Sequence, residues 1–457
     1  MSKPNPPSLP SKKVLFVKPG RPQKPSKPQP ALTEPLELTV GRLSHLGEGT
    51  VETPAGRRFV AFTAPGDRVR VRPGKPPSRA PHEVPLVLDS IVTPSSRRVA
   101  PQCPHFGVCG GCAVQHVDAE TYAAWKRDLV VQALRHRGFS GVAVDALVNV
   151  APASRRRATL TLRRTGRNAV VGFRRRGSHE IVDVERCPVL RPELQKVLAP
   201  LRALVASSLP EGVGQAEITW CENGVDLVVT DLPPPERALR ESLARFSGQH
   251  GIVRVAWMAR HGFVDLIAQH AHPLVRFDGV AVTVPTGAFL QAVVESEEQI
   301  VGHVVRAVQK AERVADLFCG LGTIALPLAK DHVVHGVDGD LAMVSALKQA
   351  VQNLRGDPPR RLTVEQRDLT RRPLLGEDLR RFEAVVFDPP RAGAPVQAEA
   401  LAKSRVPTIA AVSCNPATFA RDARTLVDGG YKLDRVTPID QFLWSPHVEL
   451  VAVLRKK

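Results

Sequence analysis

The chain has 457 residues, of which 43% are hydrophobic and 24% are charged, as is typical of globular proteins. The 63 Lys and Arg outnumber the 45 Asp and Glu and give a formal net charge of +18, so we expect a polyanionic partner such as RNA, DNA or an acidic membrane surface. The sequence has no apolar run of about 18 residues, so no membrane span is predicted. Its seven cysteines are too few for a disulfide framework, and this low count favours a cytoplasmic protein.

The first 96 residues divide into two segments of different composition. Residues 1–33 contain no acidic residue and are rich in Pro, Lys and Ser, which predicts a disordered basic tail that either improves solubility or binds nucleic acid. Residues 34–96 hold five short alternating segments: LELTVGRL, GTVET, RRFVAFT, DRVRVRP and VPLVLDSIV. These predict a small β-barrel of the OB type, a common platform for nucleic acids. The stretch from GRLSHLGEG to GDRVRV resembles the TRAM domain that accompanies several RNA-modifying enzymes.

Residues 97–285 are predicted to form a central α+β domain that carries a cysteine cluster. CPHFGVCGGCAVQH places Cys103, Cys109 and Cys112 in C-x5-C-x2-C spacing, and VERCPVL adds Cys187. Four thiolates in a chain without a disulfide framework indicate a metal site. On spacing alone, structural zinc and an iron–sulfur cluster are equally good candidates.

The remainder of this central segment is predicted to contain a helix and a basic hairpin. The helix is expected from about Asp118 to Arg137. Residues 146–179 contain nine arginines and no acidic residue, in an apolar alternation typical of a β-hairpin. A solvated face is the usual explanation of a charge run, but nine unbalanced arginines favour a phosphate-binding face. Cys221 is expected to be a core residue.

Residues 286–457 alternate helices with apolar strands: VADLF, VVHGVD, LTVEQRD, AVVFDPP, TIAAVSC and ELVAVL. The alternation predicts an α/β, Rossmann-like domain with a doubly wound parallel sheet. The first four strands each end in an aspartate, namely Asp316, Asp338, Asp368 and Asp388. Gly320 and Gly322 precede a helix after the first strand, so we expect a cofactor site there, with Asp338 accepting hydrogen bonds from ribose hydroxyls.

Two cofactors, NAD and S-adenosylmethionine, fit a ribose-binding acid. The dinucleotide fingerprint requires a third glycine where this chain has Ala325, a weak variant of that pattern. FDPP after the fourth strand instead indicates a methyltransferase. Amino-methylating enzymes place an aromatic residue after a similar Asp-Pro-Pro, whereas Arg391 stands here and argues against amino methylation.

The segment AVSCNPATFARD puts Cys414 at the end of the fifth strand, facing the same crevice as the cofactor. A thiolate there suits methylation at C5 of a pyrimidine, because its addition at C6 makes C5 nucleophilic. A base must then remove the C5 proton, and Glu449 in WSPHVELV is the candidate. Cys319 is the competing nucleophile, although a small side chain beneath the cofactor explains it more simply.

Four motifs, DLFCGLGT, FDPPRAG, SCNPATFARD and SPHVELV, resemble those of the RNA (uracil-C5)-methyltransferase family, and GAFLQA resembles its cofactor-binding Phe-x-Gln segment. The resemblance implies a class I methyltransferase that makes 5-methyluridine in RNA, with Cys414 as nucleophile and Glu449 as base. It also implies these cofactor contacts: Gln291, Phe318, Gly320, Gly322, Thr323, Asp338, Asp368 and Asp388. Thr323 and Val293 stand where the family often has Asn, so cofactor contacts there are expected to differ in detail.

The cysteine motif resembles that of the family's 23S ribosomal RNA branch, which also carries a TRAM domain. This resemblance implies a [4Fe–4S] cluster on the four cysteines and 23S rRNA as the substrate, since the transfer RNA branch generally lacks both features. Three alternatives are a tRNA 5-methyluridine methyltransferase, an RNA-binding or ribosome-assembly factor without activity, and a redox sensor built on the cluster. We expect a monomer without a protein partner.

Overall fold

The structure is a computed structural model, and it describes residues 34–54, 56–74, 85–259, 262–353 and 361–457. The predicted basic tail, residues 1–33, lies outside the described residues. No helix within the described ranges is both long enough and apolar enough to cross a membrane.

The N-terminal part contains five strands at the predicted positions: Leu36–Thr39 (β1), Gly49–Thr53 (β2), Gly56–Val60 (β3), Arg68–Pro73 (β4) and Leu86–Thr93 (β5). Strands β1, β4 and β5 pair in one sheet, and β2 and β3 form a separate hairpin. The alternation in β4 buries Val69 and Val71 and exposes the arginines beside them. The two sheets share one small apolar core. Closure into a single barrel stays a prediction.

A helix, Ala119–Arg135 (α1), confirms the first predicted helix of the central part. Asp118 caps it by accepting a hydrogen bond from the Thr121 N–H at 2.7 Å. The buried face of α1 packs in the same apolar core as the C-terminal strands. Trp125 Nε1 donates to the Ser44 carbonyl at 2.7 Å, so α1 connects the N-terminal strands to the C-terminal sheet.

The central part is built on a seven-stranded sheet with two helices. The next elements in the chain are Ala143–Val144 (β6), Arg157–Thr165 (β7), Asn168–Arg174 (β8), Ile181–Asp183 (β9), Pro192–Ser207 (α2), Gly212–Cys221 (β10), Gly224–Thr230 (β11), Arg237–Gln249 (α3), Ile252–Met258 (β12) and Val264–Gln269 (β13). The sheet order is β13-β12-β11-β10-β7-β8-β9, and α2 and α3 pack on it. The predicted hairpin is β7–β8, with Thr165 opposite Asn168. Cys221 is fully buried, as expected.

The C-terminal part alternates helices and strands after a short hairpin. Its strands are Leu274–Phe277 (β14), Val280–Thr283 (β15), Arg313–Leu317 (β16), Val333–Asp338 (β17), Leu362–Gln366 (β18), Ala384–Phe387 (β19), Thr408–Ser413 (β20), Tyr431–Ile439 (β21) and Glu449–Lys456 (β22). Its helices are Val294–Val308 (α4), Ala325–Leu328 (α5), Leu341–Gln352 (α6), Gly376–Leu379 (α7), Pro395–Ala402 (α8) and Pro416–Asp428 (α9). The large sheet has the order β18-β17-β16-β19-β20-β22-β21-β6.

This large sheet is doubly wound, as predicted. Strands β16 to β20 pair in parallel. One face is covered by α1, α8 and α9, and the other by α4, α5 and α6. The strand order reverses between β16 and β19, so the loops after these two strands open a crevice at the carboxyl ends of the strands.

The last two strands differ from the prediction of parallel βαβ units. Strand β22 runs antiparallel to β20 and to β21, because the connecting loop, residues 440–448, is too short for a crossover helix. Strand β21 was not predicted at all. A register shift between Leu433 and Arg435 interrupts the alternation by which a strand is recognised in a sequence.

Candidate active site

The loop after β16 contains residues with positive φ. Phe318, Gly320 and Gly322 have φ values of 66°, 54° and 88°. A Cβ on Gly322 would lie 2.5 Å from Leu347 Cδ1, and its positive φ is one that favours glycine. The Gly320 N–H donates to Asp338 Oδ2 at 2.9 Å, which joins this loop to the end of β17.

Buried carboxyl groups lie at the base of the same loop. Asp316 is 1% exposed, and neither of its oxygens has a hydrogen-bond partner among the described residues. Burial, and then the charges of Asp388 and Asp338, raise the pKa of Asp316 well above its usual range. Burial, followed by the charge of Asp338, raises the pKa of Asp388 to about 7. Unused buried acceptors of this kind fit a cationic ligand with hydrogen-bond donors, so the residues are compatible with S-adenosylmethionine.

Asp368 is another predicted cofactor contact, and Thr323 and Val293 are the two positions that differ from the family's motifs. Asp368 follows β18 and accepts from the Thr370 N–H at 2.9 Å, and its hydrogen bonds to Thr370 lower its pKa. Thr323 is partly exposed on the glycine loop. Val293 is 1% exposed and immediately precedes α4, without a side-chain hydrogen bond to the helix. Of the two positions where the family often has Asn, Val293 therefore lies in the core and Thr323 lies on the glycine loop.

Cys414 and Glu449 come together at the carboxyl end of β20. Cys414 directly follows that strand and Glu449 begins β22, while Ser413 pairs with Leu450 across the two strands. Burial, with added repulsion from Glu449 and Asp388, raises the pKa of Cys414 to about 11. Burial, followed by the charge of Asp388, also raises the pKa of Glu449 well above its usual range. Cys414 and Glu449 therefore flank the Ser413–Leu450 pair, where β20 and β22 meet.

Cys319, the competing nucleophile, is 5% exposed. Its Sγ lies 3.1 Å from where a Cβ on Gly336 would stand. It belongs to the apolar cluster that contains Val314 and Ala325. This position agrees with a small core side chain beneath the glycine loop.

A buried glutamine connects the predicted cofactor residue Gln291 to the predicted base. Gln441 Nε2 donates to Gln291 Oε1 at 2.8 Å and to Glu449 Oε2 at 2.9 Å. Gln441 is 1% exposed and Gln291 is 9% exposed. Sequence reasoning missed Gln441, because Gln291 lies 150 positions away in the chain and only the fold brings the three side chains together.

The loop that carries Gln441 is held by α1. Lys126 is fully buried and donates to Asp440 Oδ1 and to the Phe442 carbonyl, both at 3.1 Å. It also donates to the His447 carbonyl, and Tyr122 OH donates to the other oxygen of Asp440. Sequence reasoning missed this contact too, because a lysine in an amphipathic helix is normally a surface residue.

A cavity of about 520 Å³ opens beside Cys414. Its walls come from the N-terminal strands, from α1 and from the loops after β19 and β20, and they include Arg57, Phe59, Trp125 and Arg391. Aromatic and cationic side chains together suit a single-stranded nucleic acid, whose bases stack and whose phosphates are anionic.

The four predicted metal ligands, Cys103, Cys109, Cys112 and Cys187, line one cavity of about 470 Å³. In the described ranges, however, no three or more His, Cys, Asp or Glu side chains have an arrangement that would hold a metal ion. The predicted metal site is therefore not confirmed. Phe442 also lines this cavity, and the Ala113 N–H donates to the Trp444 carbonyl at 2.7 Å, so the cysteine segment packs against the loop that carries Gln441.

The arginines of residues 146–179 do not form one unbalanced basic face. Four of the nine pair with carboxylates elsewhere in the chain: Arg156 with Glu297, Arg157 with Glu217, Arg175 with Glu180 and Arg176 with Glu48. Arg156 is only 3% exposed. The count of charges in the segment was correct, but the expectation that none is balanced was wrong, because three of these acids lie at least 60 positions away.

Comparisons with known proteins show the family of the chain. A family model described as tRNA (Uracil-5-)-methyltransferase matches residues 361–457. The 23S rRNA (uracil(1939)-C(5))-methyltransferase RlmD of Aeromonas salmonicida is 32% identical over 442 residues, which cover 94% of this chain and 99% of that protein. The chain belongs to the RNA (uracil-C5)-methyltransferase family. A relative in Brucella suis biovar 1, described as an RNA methyltransferase, is 43% identical over 92% of this chain and 98% of its own length.

The structural comparison agrees with the family's fold. The crystal structure of Pyrococcus abyssi tRNA (uracil-54, C5)-methyltransferase in complex with S-adenosyl-L-homocysteine aligns with a TM-score of 0.70 and 22% identity. The alignment covers 92% of this chain and 100% of that one. The family member described here is therefore an RNA methyltransferase with the class I S-adenosylmethionine-dependent fold.

Proposed function

We propose that this enzyme methylates C5 of a uridine in 23S rRNA, with S-adenosylmethionine as the methyl donor. The placement of Cys414 and Glu449 on either side of the Ser413–Leu450 pair, beside the carboxylate-lined crevice, carries the proposal. The name of the Aeromonas relative supports ribosomal RNA as the substrate. A tRNA substrate is the second candidate, because the family model and the Pyrococcus structure carry that description. Methylation assays on separate rRNA and tRNA transcripts distinguish the two.

The chain's own residues account for the binding of the donor. Gly320 and Gly322 let the backbone approach it, Asp338 accepts from its ribose, and the unpartnered oxygens of Asp316 accept from its ammonium group. Gln291, Phe318, Thr323, Asp368 and Asp388 are proposed as further contacts. The bound donor supplies an electrophilic methyl group on a sulfonium centre, and the positive charge also favours the ionised forms of the nearby acids.

Cys414 and Glu449 carry out the steps on the base. The Cys414 thiolate adds to C6, and the electrons of the C5–C6 double bond move to C5. C5 would then form a bond to the methyl carbon of the donor, while the bond from that carbon to the sulfonium sulfur breaks and its electrons pass to sulfur. Glu449 then takes the C5 proton. The electrons of that C–H bond restore the double bond, the C6–S bond breaks, and the thiolate returns to Cys414. The target base has to leave its stack to reach both groups.

Trapping on RNA that contains 5-fluorouridine tests this proposal. Fluorine at C5 cannot leave as a proton, so the wild-type protein with S-adenosylmethionine should form an adduct that persists on a denaturing gel. Cys414→Ala should form none. Cys319→Ala is the matched control and should form the adduct, because Cys319 is a core residue. An adduct with Cys414→Ala, or none with a folded wild type that binds RNA, would contradict the proposal.

We also propose that Cys103, Cys109, Cys112 and Cys187 hold a [4Fe–4S] cluster. The four cysteines line one cavity, and the resemblance of their motif to that of the 23S rRNA branch favours an iron–sulfur cluster over zinc. The cluster would supply a rigid cross-link between the cysteine segment and Cys187. Iron and sulfide analysis of anaerobically purified protein tests the proposal. One zinc and no iron would overturn it.

The remaining assignments complete the proposed architecture. The N-terminal strands form a TRAM domain over residues 34–96, the cluster belongs to a central domain over residues 97–285, and residues 286–457 are the methyltransferase domain. The TRAM strands, the arginine hairpin and the tail of residues 1–33 hold the RNA around the target uridine. The enzyme acts as a monomer in the cytoplasm.

A further inference from the structure

Gln441 occupies a position that the proposed mechanism does not use. It lies in the loop between β21 and β22 and is 1% exposed. Its side-chain amide makes three hydrogen bonds, to the Ala292 backbone, to Gln291 and to Glu449. Both ends of the amide are therefore used inside the site.

The backbone determines the direction of this network. The Ala292 N–H can only donate, and it lies 2.9 Å from Gln441 Oε1. The amide nitrogen of Gln441 must therefore face the other way, toward Gln291 and Glu449, and must donate to both. Gln291 then presents its own oxygen to Gln441, so the Gln291 amino group points away from Gln441. An amide orientation that is usually ambiguous is thus determined by one backbone N–H.

The same network distinguishes the two oxygens of Glu449. Oε2 accepts from Gln441 at 2.9 Å, and the hydrogen bonds of the described residues include none to Oε1. Glu449 is the first residue of β22, and it is 3% exposed. One oxygen is therefore held, and the other is available to a substrate.

We propose that Gln441 is a positioning residue for the final elimination step, which holds Glu449 by Oε2 so that Oε1 meets the C5 proton. This inference rests on the proposed function. In that step Glu449 gains the C5 proton, the C5–C6 double bond re-forms, and the bond from C6 to Cys414 breaks. Neither the addition of Cys414 nor methyl transfer to C5 requires Glu449. Loss of Gln441 should therefore slow release of the product and leave the earlier steps intact.

The test follows the covalent adduct on ordinary uridine RNA with S-adenosylmethionine. In Gln441→Met, which keeps the volume and removes the hydrogen bonds, the methylated adduct should accumulate and its decay should slow by about 10- to 100-fold, the range for losing one hydrogen bond to a charged group. Gln441→Glu keeps the shape but presents no donor to Glu449, so it should slow decay at least as much. Adduct formation on 5-fluorouridine RNA should stay within about threefold of the wild type in Gln441→Met, since neither the addition of Cys414 nor methyl transfer uses Glu449.

Gln397→Met is the matched control. Gln397, on α8, is fully buried and makes two hydrogen bonds to the Leu374 backbone, and neither residue lines the cavity beside Cys414. It should release product at the wild-type rate. If Gln441→Met releases product like the wild type, or if Gln441→Glu restores release, the inference is wrong while the proposed function stands. If the wild type itself forms no adduct on 5-fluorouridine RNA, the proposed function fails first.

Discussion

Cys414 and Glu449 present an electrostatic problem at the scale of single residues. Burial raises the pKa of both groups, and the charge of Glu449 further raises that of Cys414, to about 11. The nucleophile needs to be ionised for addition, and the base needs to be ionised for elimination. Two neighbouring anions oppose each other's ionisation, so the charged form of each group is disfavoured while the other is charged.

Replacing Glu449 by Gln tests this coupling. The change removes a negative charge near Cys414 while keeping the size of the side chain, so the pKa of Cys414 should fall toward its usual range of about 8.5. The pH dependence of adduct formation on 5-fluorouridine RNA should then shift to lower pH than in the wild type. On ordinary RNA the same variant should accumulate methylated adduct, because no base remains. A profile shifted to higher pH would show that Glu449 does not repel the thiolate.

The element that organises the site is the loop between β21 and β22, together with helix α1. Lys126 neutralises Asp440 and binds two backbone carbonyls of that loop while fully buried. A buried ion pair is costly to break from one side, because the remaining charge stays desolvated. Contacts with a helix more than 300 positions earlier in the chain therefore hold this loop in its conformation.

Lys126→Met should therefore destabilise the protein by about 3–5 kcal/mol, measured as the free energy of unfolding in urea. Lys348→Met is the control. Lys348 is exposed on α6, and the substitution should change stability by less than about 0.5 kcal/mol. Adding Asp440→Asn to Lys126→Met should recover part of the loss, because it removes the unpaired charge. Equal stability of Lys126→Met and the wild type would show that the pair does not stabilise the loop.

The predictions that succeeded depended on patterns local in the chain. Alternating strands, strand-end aspartates and the position of Cys414 after β20 can be read from windows of a few residues. The predictions that failed or were missed depended on distant contacts. Gln441 and Lys126 acquire their roles from partners that are remote in sequence, and the register shift in β21 breaks the very alternation on which recognition relies.

Across the whole molecule, the segments that contribute to the net charge of +18 differ in how many of their cations are free to bind RNA. Four of the nine arginines in residues 146–179 are already paired, so that segment offers less free positive charge than its composition indicates. Residues 1–33 contain seven Lys and Arg and no acidic residue. The tail therefore carries a large share of the cations that no acid nearby in the sequence balances.

Deleting residues 1–33 should weaken RNA binding mainly at low salt. Each phosphate contact on a single strand contributes about 0.7 to the slope of log K against log salt concentration, so losing seven cations should make the slope shallower by at most about 5. A variant that keeps the length of the tail but replaces its Lys and Arg by Gln should behave like the deletion, because the effect comes from charge. If the salt dependence of RNA binding is unchanged in both variants, the tail has a role in solubility only. The RNA contacts would then belong to the TRAM strands and to the arginines of β7 and β8 that lack a carboxylate partner among the described residues.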